Sequence, residues 1–300
     1  MMHADAITAQ VRLMNTLAAA RNCRHVPHPA MPLSPENYRF LQEEIRQGSG
    51  IVLDEDKLYL FESRLAPLLR RTDLATLDQL CQRMRARTDP NLSQMVLEAL
   101  TTNETFFFRD MAPFEALRAR IFPEILEKLL PHQKLRVWSA AASSGQEAYS
   151  MAMLFHELKL QQRCGEILGT DISEQVLAYA REAKYVQFEV NRGLPAIYLV
   201  KYFQREELDW RLKQEIRDAV RFKRFDLRQS AASLGKFHII LCRNVLIYFD
   251  SDTKQKILKE LYNALEPGGF LLLGSAESIP RPHHAWDRIS DHTATIYRKK

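Results

Sequence analysis

The chain has 300 residues, 46% hydrophobic and 26% charged, with a formal net charge of +5. That suffices for one large core or two ordinary ones, and no run approaches the roughly 18 apolar residues of a membrane span. Four cysteines without CxxC spacing argue against a zinc cluster or a disulfide framework, and Asp5 and Arg12 interrupt any secretory leader, so a reduced cytoplasmic protein without metal is expected.

Residues 1–32 read as a flexible tail: "HVPHPAMPLSP" carries four prolines that break any helix, and His25 and His28 belong to it rather than to a metal site. From Ser34 to about Arg120 the pattern is helical. Ser34-Pro35-Glu36 opens the first helix with a capping serine, a first-turn proline and an acidic residue at the positive end of the dipole, and "GSG" at 48–50 closes it. In "LDEDKLYLFESRLAPLLRR", Leu58, Phe61, Leu65 and Leu68 share one face, while Lys57, Arg64 and Arg71 recur every seven residues beside it. Pro67 is expected to bend or divide this helix. Two further helical patterns occupy residues 73–87 and 90–100.

From Leu135 strands and helices alternate. "KLRVWSAA", "EILGTDI", the continuous apolar "FHIILCRN" and "FLLLGSAES" read as strands; "GQEAYSMAMLFHEL", "SEQVLAYAREA" and "SDTKQKILKELYNALEPGG" read as helices, the last with a proline-glycine stop. "ATIYRKK" reads as a closing edge strand. This order predicts an α/β fold with a doubly wound sheet. The stretch from about 186 to 222 is too long for a plain connection; "DWRLKQEIRDAVRFKRF" partly alternates and predicts a small antiparallel insertion.

Ligands of open α/β sheets lie beyond the carboxyl ends of the strands, where this chain places residues 140–147, Asp171, Asp226, Asn244 and Ser275. Residues 139–145 are all small but contain one glycine, Gly145, so neither G-x-G-x-x-G nor a P-loop is present, and no phosphate cradle is expected. Asp171, 26 residues after Gly145, stands where a carboxylate grips a ribose diol; it could equally cap the next helix with Glu174. Glu147 stabilises its helix dipole with or without a ligand. A nucleoside without phosphates, bearing a cationic centre, points to S-adenosylmethionine.

The stretches "LTTNETFFFR" (100–109), "RVWSAAASSGQEAYSMAM" (136–153), "GTDIS", "LCRNVLIYFD" (241–250) and "LGSAES" resemble, in order, the motifs of the CheR-type chemotaxis receptor glutamate O-methyltransferases. The resemblance runs from about Ser34 to Lys300. It implies an all-α receptor-recognition domain and linker over 33–120, then an S-adenosylmethionine-dependent methyltransferase sheet over 121–300 with a β-subdomain at about 186–222. It implies a cofactor site of Asn103, Thr105, Arg109, Glu147, Asp171, Asp226, Leu227, Asn244 and Val245. In that site Arg109 would face the cofactor carboxylate, Glu147 its ammonium, Asp171 the ribose and the remaining pairs the adenine. Asp226 departs from the asparagine common at its position. Arg109 and Tyr248 would orient the reacting groups, and no general base is expected, because a glutamate titrating near about 4.3 is already ionised at neutral pH.

The implied substrate is a glutamate on a long acidic receptor helix, giving a methyl ester and S-adenosylhomocysteine. Lys57, Arg64, Arg70 and Arg71 are the basic positions that would dock it, with Pro67 standing where a further basic residue can occur. Tethering relatives carry a glycine-rich β-subdomain loop; "FQREELDWRLKQEIRD" has none, so no pentapeptide tether is expected. A monomer, cytoplasmic and without membrane insertion, is expected. Nucleic-acid methylation is disfavoured, because "CRNVLIYF" lacks the proline-proline-aromatic turn of amino-group methylases. The competing reading is a non-catalytic S-adenosylmethionine-binding regulator of a chemosensory-like pathway.

Overall fold

Ser34 accepts a hydrogen bond from the Asn37 amide, and the chain winds into α1 (Pro35–Ser49) until Gly50, at φ 78°, closes it in the left-handed region. The computed structural model describes residues 33–53, 58–281, 284–291 and 294–300, so the expected tail, His25, His28 and Lys57 lie outside them. Three more helices follow: α2 (Leu58–Arg71), α3 (Leu77–Arg85) and α4 (Leu92–Leu100). Phe61, Leu65 and Leu68 of α2 are buried, as the spacing of the apolar face requires. Pro67 does not divide α2, which runs through it from Leu58 to Arg71. Among the described residues no helix is long and apolar enough to cross a membrane.

The chain divides into two compact units between Thr102 and Asn103. The second unit opens with an extended stretch, then α5 (Ala112–Ala116), a π-helical turn (Leu117–Ile121) and α6 (Phe122–Lys128). Next come β1 (Leu135–Ala140), α7 (Gln146–Glu157), β2 (Cys164–Asp171) and α8 (Glu174–Glu182). Later elements that return to the sheet are β6 (Val220–Arg224), β7 (Phe237–Cys242), α12 (Ser251–Ala264), β8 (Leu265–Leu273), β9 (Trp286–Asp291) and β10 (Ala294–Lys299). The strands stand in the order β6-β2-β1-β7-β8-β10-β9; the first five are parallel, and β10 and β9 run antiparallel to their neighbours. Val137, Ile167, Ile239, Ile240, Leu271 and Leu272 are fully buried, as strands covered on both faces demand.

Between β2 and β6 the chain builds the small sheet. It consists of β3 (Lys184–Val186), β4 (Phe203–Glu206) and β5 (Asp209–Leu212) in the antiparallel order β3-β5-β4, with the short helices α9 (Gln187–Asn191), α10 (Ala196–Tyr202) and α11 (Gln214–Arg217). The alternation in "DWRLKQEIRDAVRFKRF" therefore has two sources. Residues 209–212 pair within the small sheet, whereas 220–224 form an edge strand parallel to β2, with Val220 buried and Arg221 exposed. Two further expectations are corrected. Residues 265–269, proline and glycines included, belong to β8 rather than to the preceding helix. The hairpin β9-β10 makes "ATIYRKK" an interior strand, because β9, not legible beforehand, takes the edge.

Candidate functional site

Register explains why the candidate residues share one rim. Ala140 of β1 is level with Thr170 of β2 and Cys242 of β7, and Cys242 is level with Leu273 of β8. One residue beyond this line stand Ala141, Asp171, Arg243 and Gly274. Because β1 connects onward to β2 while β7 lies on its other side, the crevice between the β1 and β7 ends is a topological switch point.

The loop after β1 is tightly folded. Ala141 (φ 61°), Ser143 (φ 50°) and Gly145 (φ 91°) are all left-handed, a conformation that costs a residue with a Cβ about 1 kcal/mol or more. A Cβ at Gly145 would meet Ala180 at 2.9 Å and Phe222 at 3.0 Å, so only glycine lets α7 start here. Five hydrogen bonds hold the loop: Ala142 N–H to the Thr170 carbonyl (2.8 Å), Gly145 N–H to Ala142 (2.9 Å), Ser143 N–H to Asp171 Oδ2 (2.9 Å), Ser143 Oγ to the Asn103 carbonyl (2.9 Å) and Tyr185 OH to the Ser144 carbonyl (2.8 Å). Residues held in such conformations by their surroundings cluster at ligand sites.

Asp171 is buried; its other oxygen accepts the Ser173 amide at 3.0 Å. The helix cap itself is Ser173, which accepts from Val176, so capping does not account for the aspartate. Glu147, in the first turn of α7, accepts from Ser139 Oγ (2.8 Å) and from Arg243 Nη1 (3.0 Å). Arg243, its side chain 2% exposed, also donates through Nη2 to the Arg109 carbonyl (2.8 Å) and to Asp110 Oδ2 (2.9 Å). Two carboxylates against one guanidinium leave one formal negative charge here, suited to a cationic ligand.

Around the rim, the "NETFFFRD" segment is anchored by the Phe108 amide, which donates to Ser150 Oγ (2.9 Å), and by Phe107, which meets Tyr185 and Phe203 edge-on at 5.0 and 5.5 Å. Gln146 Nε2 reaches Glu189, whose carboxyl is pushed up by burial against hydrogen bonds from Tyr179 and Val186. Asn244, at φ 58°, ends the rim: its Oδ1 is buried and, among the described residues, has no hydrogen-bond partner.

Comparison with known proteins decides what this rim belongs to. A family model described as "CheR methyltransferase, SAM binding domain" matches residues 103–296, and one described as "CheR methyltransferase, all-alpha domain" matches residues 36–101. The chain belongs to the CheR methyltransferase family. Within it, the chain is 39% identical to chemotaxis protein methyltransferase Cher2 of Pseudomonas putida over 85% of this chain and 95% of that one. It is 38% identical to chemotaxis protein methyltransferase 1 of Pseudomonas aeruginosa, over 90% and 100% respectively. This is an S-adenosylmethionine-dependent methyltransferase family, and the all-α unit followed by a mostly parallel sheet is its architecture here.

In this CheR family member the residues expected at the site divide. Asn103, Arg109, Glu147, Asp171 and Asn244 adjoin the rim, the first two through backbone carbonyls that tie the opening segment down. Arg109 is half-buried over the Phe106 ring, its Nη1 donating to the Glu104 carbonyl at 2.9 Å. Asp226 is engaged by Arg228, Nε to Oδ1 at 3.0 Å and Nη2 to Oδ2 at 2.7 Å, beside the buried Leu227. Thr105 and Tyr248 are half-buried, and Val245 donates its amide to Glu277 at 2.9 Å. Of the docking residues, Arg70 and Arg71 are exposed, but Arg64 spends Nη1 on the Leu100 carbonyl (2.7 Å) and Thr102 (3.1 Å), closing α4. Two residues were missed, Arg243 and Glu277. Both lie inside stretches quoted for the resemblance, "LCRNVLIYFD" and "LGSAES", without being given a role there, and the charged residue straight after the apolar "FHIILC" was a further signal.

Proposed function

We propose that this chain transfers a methyl group from S-adenosylmethionine to glutamate side-chain carboxylates of chemoreceptors, forming methyl esters. The observation that carries the reading is the rim itself: a strained loop of small residues without a phosphate cradle, flanked by Asp171 and by the Glu147–Arg243–Asp110 cluster with its surplus negative charge. The orphaned Asn244 Oδ1 fits a donor such as an adenine amino group. Bound S-adenosylmethionine supplies a sulfonium methyl; a carboxylate oxygen forms the new C–O bond as the C–S bond breaks, leaving S-adenosylhomocysteine.

The protein's own residues bind and orient. Asp171 takes the ribose hydroxyls, Glu147 the ammonium, Arg109 the carboxylate, and Asn103, Thr105, Leu227, Asn244 and Val245 the remaining contacts. Asp226 contributes through its backbone, its carboxylate being held by Arg228. Arg109 and Tyr248 orient the reacting groups, and no proton moves, so no base is assigned. Holding the reactants together is worth on the order of 7–11 kcal/mol. The partner is the cytoplasmic helical domain of a chemoreceptor, and the exposed Arg70 and Arg71 favour an acidic surface. A two-residue turn, Glu207–Leu208, joins β4 to β5 without glycine, which supports engagement without a pentapeptide tether.

Purified protein, tritiated-methyl cofactor and receptor-bearing membranes test the proposal. Label on a receptor-sized band that alkali releases as volatile methanol is the expected result; alkali-stable label would overturn carboxyl methylation. Cofactor binding with no label on any receptor would favour the non-catalytic regulator.

A further inference from the structure

Glu277 is buried, 6% exposed, in the turn after β8. Its Oε1 accepts the amides of Val245 (2.9 Å), Leu246 (2.7 Å) and Ile247 (3.4 Å); its Oε2 accepts those of Asn244 (2.8 Å) and Gly274 (2.7 Å). Four consecutive amides converging on one carboxylate form an anion-binding nest filled from within the chain. Such burial is tolerated only because the charge is so fully hydrogen-bonded. We infer that Glu277 is a positioning residue for the nucleoside end of the cofactor, acting through the 244–247 backbone and the Asn244 side chain; the inference rests on the cofactor reading above.

Stabilising a short turn would need only one or two of these bonds and would say nothing of Asn244. Two further observations do. Asn244 is held left-handed at φ 58°, which turns its amide toward β8, and its Oδ1 is left buried and unpartnered among the described residues. A Cβ on Gly274 would lie 2.7 Å from Glu277 Oε2, 2.8 Å from Asn244 Nδ2 and 2.9 Å from the Asn244 nitrogen. Glycine at 274 therefore lets the carboxylate and the asparagine close on the same point. Together the three residues fix one unpartnered acceptor just beyond the β7 end.

Calorimetry with S-adenosylhomocysteine and with 5′-methylthioadenosine, which lacks the amino-acid end, tests this on the full chain. Glu277→Gln keeps the shape but turns an NH2 toward amides. Each of Glu277→Gln and Asn244→Ala should weaken both ligands by about tenfold or more, the usual loss with a charged or buried hydrogen bond. The double variant should be little weaker than either single one, because both act on one contact. Gly274→Ala pushes the same atoms without changing charge and should give the same loss; it serves if Glu277→Gln does not fold. Wild-type affinity in the variants, or strictly additive losses with a lowered unfolding midpoint, would reduce Glu277 to a stabilising role and overturn the inference. A wild-type protein that binds neither ligand would instead overturn the cofactor reading itself.

Discussion

Arg243 shows how a single side chain joins separate parts of the site. It ties the Arg109 carbonyl and Asp110 to Glu147 across the β7 end, and its own Nε is buried without a partner among the described residues. Arg243→Met should cost about 3 kcal/mol in urea unfolding: Glu147 loses its cation while half-buried, whereas Asp110, 42% exposed, is rescued by water. Adding Glu147→Gln should restore part of that loss by removing the stranded charge. Stability unchanged in Arg243→Met would show that the cluster is not coupled. Asp171 could be singled out from its distance beyond Gly145 at a strand end, and Glu147 from the family resemblance of its motif. Arg243 could not, because its partners lie 96 and 133 residues away in sequence. Local patterns carry no information on such pairings.

Helices and strands were legible where their period was long. The face of α2 and the apolar runs of β1, β7 and β8 declare themselves, because burial on one face or on two leaves different repeats. The α9 and α10 helices are five and seven residues long, too short for a helical period to show, and β9, "WDRISD", is polar or charged at most of its positions and carries no apolar run. The π-helical turn at 117–121 has no signature at all. Pro67 does not divide α2 for a different reason: packing of Phe61, Leu65 and Leu68 holds the helix together across the missing amide. The cost remains, so Pro67→Ala should stabilise the protein by about 2 kcal/mol, the proline penalty less the entropy it removes from the unfolded chain. An unchanged urea midpoint would mean that Pro67 already sits at no cost.

The two units carry different chemistry. The sheet unit holds every candidate cofactor residue, and the all-α unit holds the basic residues proposed for docking. Arg64 is not a clean probe of docking, because reversing it would also strip Leu100 and Thr102 of their donor. Arg70 and Arg71 do serve. The pair Arg70→Glu and Arg71→Glu should slow receptor methylation while leaving S-adenosylhomocysteine affinity intact, and the difference from wild type should shrink as salt rises. Initial rates at low and high salt read this directly; equal rates at both would remove the electrostatic docking idea. The order of the main sheet has a last consequence, for solubility. With β10 seated between β8 and β9, the run Phe270–Leu273 never presents an open edge. A fragment trimmed before Ala294 would bare that edge, the most apolar stretch of the sheet, to any other copy, and would precipitate by strand-to-strand association rather than simply lose stability.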